Sequence, residues 1–248
     1  MKKVLTLVAL ALALVPAALA ARAQAGHEYA PLEEKTVNYK DWTLNSVKDG
    51  APVNLRTFAK GKKLVLVVYF APWCGNWRNE APVAARLYEK YKGQGLDVIA
   101  VSEYAPRADS VNFFGEGGSP YTVVYESESR ADRDKTAHYT YRQATGDTRR
   151  WGSPYNVFLE PAKLNQTGDM LAEKTWVVNG ELIEDEVENF IRARLGLEKL
   201  DKKPDQPAAT TSATPSLSFV PETGKARLLK ATAASDSGPQ VVQPCKEP

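Results

Sequence analysis

The stretch YFAPWCGNWRNEAP, Tyr69 to Pro82, carries the residue types of thiol chemistry at the spacing that disulfide exchange uses. In a frame W-C-x-x-C-x-x-E-x-P, Trp73, Cys74, Glu80 and Pro82 are in place, and the second cysteine's position holds Trp77. A cysteine between a buried strand and the first turn of a helix sits where unpaired backbone N–H groups and the positive end of the helix dipole converge. Thiolate is favoured there over thiol, and thiolate is the nucleophile. Trp73 shields one side of the sulfur and leaves the other open, while Gly75, Asn76 and Trp77 shape access to it. The plainer alternative is a buried cysteine that behaves as a small hydrophobe. Glu80 has two readings as well: a carboxylate that moves protons near the sulfur, or an exposed first-turn acid favoured by the dipole.

The elements that must position Cys74 follow from the pattern around it. Leu64–Phe70, LVLVVYF, is a continuous apolar run of β-formers, suited to a strand covered on both faces. After Cys74 the period turns helical, with Val83, Ala84, Leu87, Tyr88 and Tyr91 on one stripe, Gly93 and Gly95 as the stop and Pro82 as a bend. Leu96–Ser102 is a second buried strand, so strand, helix and strand form a right-handed βαβ unit with a parallel sheet. Upstream, residues 41–63 read as two short strands around Asp49-Gly50, and residues 26–40 as a polar surface arm. Downstream, residues 105–120 read as a loop with room for one short turn, Tyr121–Ser127 as an edge strand and Arg130–Gln143 as an exposed helix. Tyr155–Glu160 and the EKTWVVNG segment are strands, and Glu181–Leu195 is a helix with Ile183, Val187, Phe190 and Ile191 on its inner face, stopped by Gly196.

The ends of the chain differ from its middle. Lys2 and Lys3, the apolar run Val4–Leu19 and a small-residue site at Ala18-Leu19-Ala20 or Ala23-Gln24-Ala25 make residues 1–25 a secretory leader. The product is expected outside the cytoplasm, in the periplasm or cell envelope, and a membrane association follows only if the leader stays uncleaved. Losing Lys2, Lys3 and Arg22 takes the formal charge from +2 to −1, which offers no case for nucleic acid or anionic lipid. Residues 199–248 shift to Pro, Ala, Thr, Ser and Lys without apolar period and are expected to be a disordered tail. Two cysteines, Cys74 and Cys245, are too few for a stapled scaffold, so the core of one α/β domain must carry the fold. His27 and His138 are the only histidines and make no metal-ligand spacing, and no phosphate loop appears, so neither metal nor cofactor is expected.

GKKLVLVVYFAPWCGNWRNEAPVAARLYEKYKGQGLDVIAVS resembles thioredoxin-fold proteins of the TlpA/ResA type, exported thiol–disulfide oxidoreductases of the redoxin (AhpC/TSA–thioredoxin) group. The resemblance implies a thioredoxin fold over residues 41–198, with a central mixed sheet of four or five strands flanked by helices. It makes Cys74 the attacking cysteine, Glu80 a catalytic carboxylate and Pro154 a cis-proline close to the sulfur. The Ser153 backbone would then offer strand-like hydrogen bonds to a substrate peptide. Partners would be protein or small-molecule thiols and disulfides. Two departures stand out: Trp77 replaces the resolving cysteine, and Val68 stands where thioredoxin has a buried aspartate that assists release.

A lone thiol can still form a mixed disulfide, whose release needs a thiol from elsewhere. Cys245, in the final QPCKEP, is the candidate resolving thiol, at a distance that a tail of about 50 residues spans. The reading preferred from sequence is the plainer one, a tail residue without a role. Two other functions remain open. A non-enzymatic module would bind partners through the Trp73–Trp77 and Pro154 surface, with Trp77, Trp151 and Tyr155 as an apolar rim. A one-cysteine peroxidase would want a proline and a hydroxyl seven and three residues before the sulfur, where Val67 and Ala71 stand.

Overall fold

The computed structural model describes residues 26–200 and Cys245, so the leader at 1–25 and nearly all of the expected tail lie outside the described residues. The fold is built on β5 (Leu64–Phe70), every residue of which is buried. One face of β5, with Leu64, Leu66, Val68 and Phe70, packs on helices α2 (Gly75–Tyr91) and α5 (Glu184–Leu195) through Ala84, Leu87, Val187 and Ile191. The other face, with Val65, Val67 and Tyr69, packs on Tyr39, Leu55, Tyr141 and Tyr155. Burying such side chains stabilises by about 1.5–3 kcal/mol each, which explains why an unbroken apolar run lies at the centre.

Strand β5 pairs in parallel with β6 (Leu96–Ser102), which pairs in parallel with β7 (Thr122–Tyr125). On the other side β8 (Tyr155–Leu159) runs antiparallel to β5, and β9 (Met170–Val178) antiparallel to β8. This is the mixed, helix-flanked sheet of a thioredoxin fold, with eight strands rather than four or five, because both edges are extended. At one edge the hairpin of β3 (Thr43–Ser46) and β4 (Pro52–Asn54) adds to β7, which is therefore not an edge strand.

At the other edge lies the largest departure from expectation. Residues 26–40 are not a surface arm. After a two-residue strand β1 (Tyr29–Ala30), β2 (Leu32–Lys40) pairs with β9 from Leu32↔Val178 to Lys40↔Met170. Only Val37 and Tyr39 turn into the core while charged residues line the outer face, which hides the period-2 signal. Strand β1 pairs with β10 (Glu181–Leu182) ahead of α5, whose expected inner residue Ile183 is exposed at the helix cap.

Three further segments differ. Leu55 and Phe58 belong to a short helix α1 (Leu55–Ala59) capped by Asn54, whose Oδ1 accepts from the Thr57 amide at 2.9 Å. Helix α3 (Arg107–Phe114) replaces the loop, ending at Gly115 with φ +68. Arg130–Lys135 is a 3₁₀ segment, and helix α4 (Ala137–Thr145) buries His138, Tyr141, Arg142 and Thr145 instead of standing exposed. Its buried polar side chains find partners outside the helix, His138 with Tyr104, Arg142 with Asp147 and Thr145 with Asn179, pairings that hydropathy alone does not reveal.

Replacement of Tyr39 separates a strand from an arm. Tyr39→Ala removes a fully buried ring and its 2.6 Å hydroxyl bond to Tyr69. It is expected to lower stability by about 3–5 kcal/mol in urea titrations; a change within about 0.5 kcal/mol, as for a loose surface segment, counts against β2 as a structural strand.

Candidate functional site

The chain leaves β5 at Phe70, turns through Ala71-Pro72-Trp73 and enters α2 with Cys74 as its N-cap. No side chain caps this end, so amide groups of the first turn are left for whatever the sulfur carries. The opposing wall is the loop Trp151–Pro154 before β8, and the Ser153–Pro154 peptide is cis. Ser153 ties the walls together: its Oγ accepts from the Ala71 amide at 2.8 Å. Its carbonyl oxygen lies 3.2 Å from the Cys74 sulfur.

Cys74 is bonded to Cys245 in a disulfide that joins positions 171 residues apart, with Cα atoms 4.5 Å apart. The Cys245 sulfur lies 3.3 Å from the same Ser153 carbonyl. The preference for an idle tail cysteine does not describe this arrangement. With Cys245 in place Cys74 has no exposed surface, so the sulfur expected to be reachable is covered in the disulfide form.

The remaining expected residues fall into two groups. Trp73 is half-buried at the mouth, its indole N–H donating to the Tyr104 carbonyl at 3.2 Å and its ring edge-on to Trp151 at 5.3 Å. Gly75, Asn76 and Trp77 are buried and form no surface. Trp77 points inward, its ring tilted against Phe70 at 4.6 Å and 5.7 Å from Phe113. Trp77, Trp151 and Tyr155 therefore do not make an exposed rim; all three are core side chains. Pro154 is buried too. Both amide atoms of Asn76 lack a partner among the described residues.

Glu80 is not an exposed first-turn acid. It is 1 % exposed, and its Oε2 accepts from the Leu182 amide at 2.8 Å and from Asn156 Nδ2 at 3.1 Å. Burial pushes its carboxyl up to about 8, against the pull of those two hydrogen bonds. Asn156 is the strand partner of Val68, the position where the expected release-assisting acid is missing. Partners across an antiparallel pair share a face, so Glu80 brings a carboxyl from α2 to the part of the sheet that Val68 leaves apolar. Asn156 was missed in the sequence, although one polar residue inside the apolar run YNVFL was a legible signal for it.

His138, the buried histidine, is held between the Tyr104 hydroxyl at 2.9 Å and the Gly152 carbonyl at 3.1 Å. Burial keeps it well below the usual imidazole range and so neutral, a framework group rather than a ligand. His27 pairs with Glu181 at 2.8 Å beside β1. No cluster of metal-ligating side chains exists among the described residues.

A mixed sheet, a cysteine at the start of the first long helix and a cis-proline loop facing its sulfur define the thioredoxin-fold class of thiol site. Residues 37–148 match the AhpC/TSA family. Over 86 residues the chain is 34% identical to thioredoxin-2 of Saccharomyces cerevisiae, covering 32% of this chain and 83% of that protein. Over 62 residues it is 44% identical to a protein disulfide-isomerase of Drosophila melanogaster, covering 25% of this chain and only 12% of that one. A solved thioredoxin-family thiol:disulfide interchange protein from Chlorobium tepidum aligns with TM-score 0.46 at 18% identity, over 68% of this chain and 98% of that one. The chain belongs to the thioredoxin family.

The Glu80 carboxyl sets a pH dependence whose sign is fixed by its environment. Its folded pKa lies above the ordinary carboxylate value, so the folded state holds the proton more tightly than the unfolded chain. The stabilisation is complete below pH 4.5 and is lost as pH rises through about 8, a swing of roughly 3–5 kcal/mol. Glu80→Gln should flatten that slope and exceed the parent in stability above pH 8. Parallel urea midpoints between pH 5 and 9 would show the idea wrong.

Proposed function

We propose that this protein is an exported thiol–disulfide oxidoreductase whose two sulfurs are split between the domain and the tail: Cys74 attacks and Cys245 resolves. The disulfide between them carries this reading. In the reduced protein the Cys74 thiolate attacks a substrate disulfide, forming a Cys74–substrate bond and releasing the substrate's other sulfur as thiolate. The Cys245 thiolate then attacks Cys74, the second substrate sulfur leaves, and the Cys74–Cys245 bond forms. Two electrons and two protons pass from the protein to the substrate. An external dithiol runs the reverse exchange and restores the reduced protein.

The fold supports the division of labour. The helix N-terminus favours Cys74 as thiolate. Trp77 fills the usual resolving position with a core side chain, so the second thiol must come from outside the motif. Glu80 is the candidate proton carrier, held neutral near pH 7 by burial. Ser153, beside Pro154, turns its carbonyl to both sulfurs and offers backbone to an extended peptide, and Cys245 occupies that place as a substrate cysteine would. Export agrees with a disulfide between Cys74 and Cys245, a bond that persists outside reducing compartments. Among the described residues no helix is long and apolar enough to cross a membrane.

Cysteine variants trapped in the cells that make the protein test this. Acid-quenched, non-reducing peptide mapping should find Cys74 joined to Cys245 in the parent, and the mature chain beginning after Ala20 or Ala25. Cys245→Ser should accumulate substrate-linked Cys74 at least about tenfold over the parent, because the resolving step is gone. If Cys245→Ser carries no more adducts than the parent, Cys245 does not resolve; if Cys74 carries none in any variant, the exchange chemistry itself falls.

A further inference from the structure

We propose that a guanidinium–indole belt at the mouth of the site, centred on Arg130 and Trp73, selects thiol and disulfide peptides carrying a carboxylate within about two residues of their cysteine. The inference rests on the exchange function above and names its substrate class.

The Arg130 guanidinium lies 4.2 Å from the centre of the Trp73 ring and 5.9 Å from that of Trp151. Trp73 immediately precedes the attacking cysteine, and Trp151 is two residues before Ser153, whose carbonyl meets both sulfurs. Arg133 approaches Trp151 at 5.8 Å and Arg150 approaches it at 5.3 Å, so three guanidiniums gather on the indoles that frame one disulfide. The rings themselves are held in place, Trp73 by its bond to the Tyr104 carbonyl and Trp151 by packing 5.4 Å from Tyr104.

The acids of this segment are spoken for. Asp132 pairs with Lys135 at 2.8 Å, Asp134 faces Arg133 at 3.7 Å, and Glu128 accepts from the Arg107 amide at 3.0 Å. Arg130 has no carboxylate partner among the described residues, is only half-buried, and is steadied by rings alone. A guanidinium resting on an aromatic face keeps its in-plane N–H fork for a carboxylate, a geometry lysine does not reproduce. Among the described residues the positive charge of Arg130 is thus left without a carboxylate beside Trp73, the residue before the reacting cysteine.

Cys245 is seated on Cys74, and in the sequence Lys246 and Glu247 follow it. Two residues of extended chain reach about 7 Å, enough to bring a carboxylate at that position from the sulfur to the flanking belt. A substrate carrying a carboxylate at that spacing would answer the charge of Arg130.

The test uses the full chain with Cys245→Ser, so that the adduct on Cys74 persists, and symmetrical disulfides of three short peptides. These carry Glu, Gln or Lys two residues after the cysteine. Cys74 attacks, the Cys74–peptide bond forms and one peptide leaves as thiolate, so the released thiol reports the rate. At low salt the Glu peptide should react about five- to tenfold faster than the Gln peptide, and the Lys peptide slowest. That ratio should shrink in 0.5 M salt, fall to about one in Arg130→Gln, and survive in part in Arg130→Lys. Equal rates for Glu and Gln peptides, or a ratio untouched by Arg130→Gln, overturn the selectivity while leaving exchange standing. If no peptide reacts, the exchange function fails, and calorimetric binding of the serine-for-cysteine peptides decides the belt. Tighter binding of the Glu peptide that depends on Arg130 keeps it, and indifference removes it.

Discussion

A strand covered on both faces can meet a substrate only at its ends, and that constraint organises this molecule. All seven residues of β5 are buried between two apolar clusters, so the first place where the chain can present a reactive group is the turn beyond Phe70. Helix α2 begins there because Cys74 is extended, with φ −78 and ψ 130, while Gly75 onward is helical. The sulfur thereby inherits the dipole end of a 17-residue helix whose inner face is locked to the sheet by Trp77, Ala84, Leu87 and Tyr91. The same packing sets the sulfur at that helix end.

The facing wall is built by other means. Where α2 is held by apolar burial, the loop from Asp147 to Pro154 is held by buried charge and hydrogen bonds. Arg142, 1 % exposed, meets Asp147 at 3.1 Å and also donates to the Arg149 carbonyl. Arg149 returns to Asp147 at 2.7 Å and donates to the Pro154 carbonyl at 2.9 Å. Gly152 takes φ +54 in a space where a Cβ would run into the Arg142 side chain. Neutral His138 must donate from Nε2 to the Gly152 carbonyl, so its Nδ1 accepts from the Tyr104 hydroxyl. The same imidazole stacks on Tyr69 at 4.9 Å, which ties this polar wall back to β5. A network of this kind is costly to break at any one member, because each loss strands a buried partner.

How much of this was legible follows from what each part is made of. Strands β5 and β6, helix α2 and the cis peptide at Pro154 could be read because local pattern and a family motif specify them. Strand β2 was missed because only Val37 and Tyr39 carry its inward face, and α4 was misplaced outside because its buried side is histidine, tyrosine, arginine and threonine. At the site, Cys74 and Ser153 were visible as residue types, but the burial of Glu80 depends on Asn156 and the Leu182 amide, which lie 76 and 102 residues further along. The stacking of Arg130 on Trp73 is likewise a tertiary fact, with no spacing in the chain to announce it.

Placing the second sulfur far from the first changes more than the route to resolution. A vicinal partner re-forms its bond across a few residues, whereas Cys245 must return over a connection of about fifty. On a chain-entropy scale, closing a loop of that length costs roughly 2 kcal/mol more, so under the proposed mechanism a substrate-linked Cys74 would outlive that of a two-cysteine motif. The same separation makes one residue serve two ends. While Cys245 is bonded to Cys74 the sulfur proposed to attack has no exposed surface. On the proposed mechanism oxidation state and access to the site become a single variable, because the thiol assigned to complete the exchange is also the group bonded over Cys74.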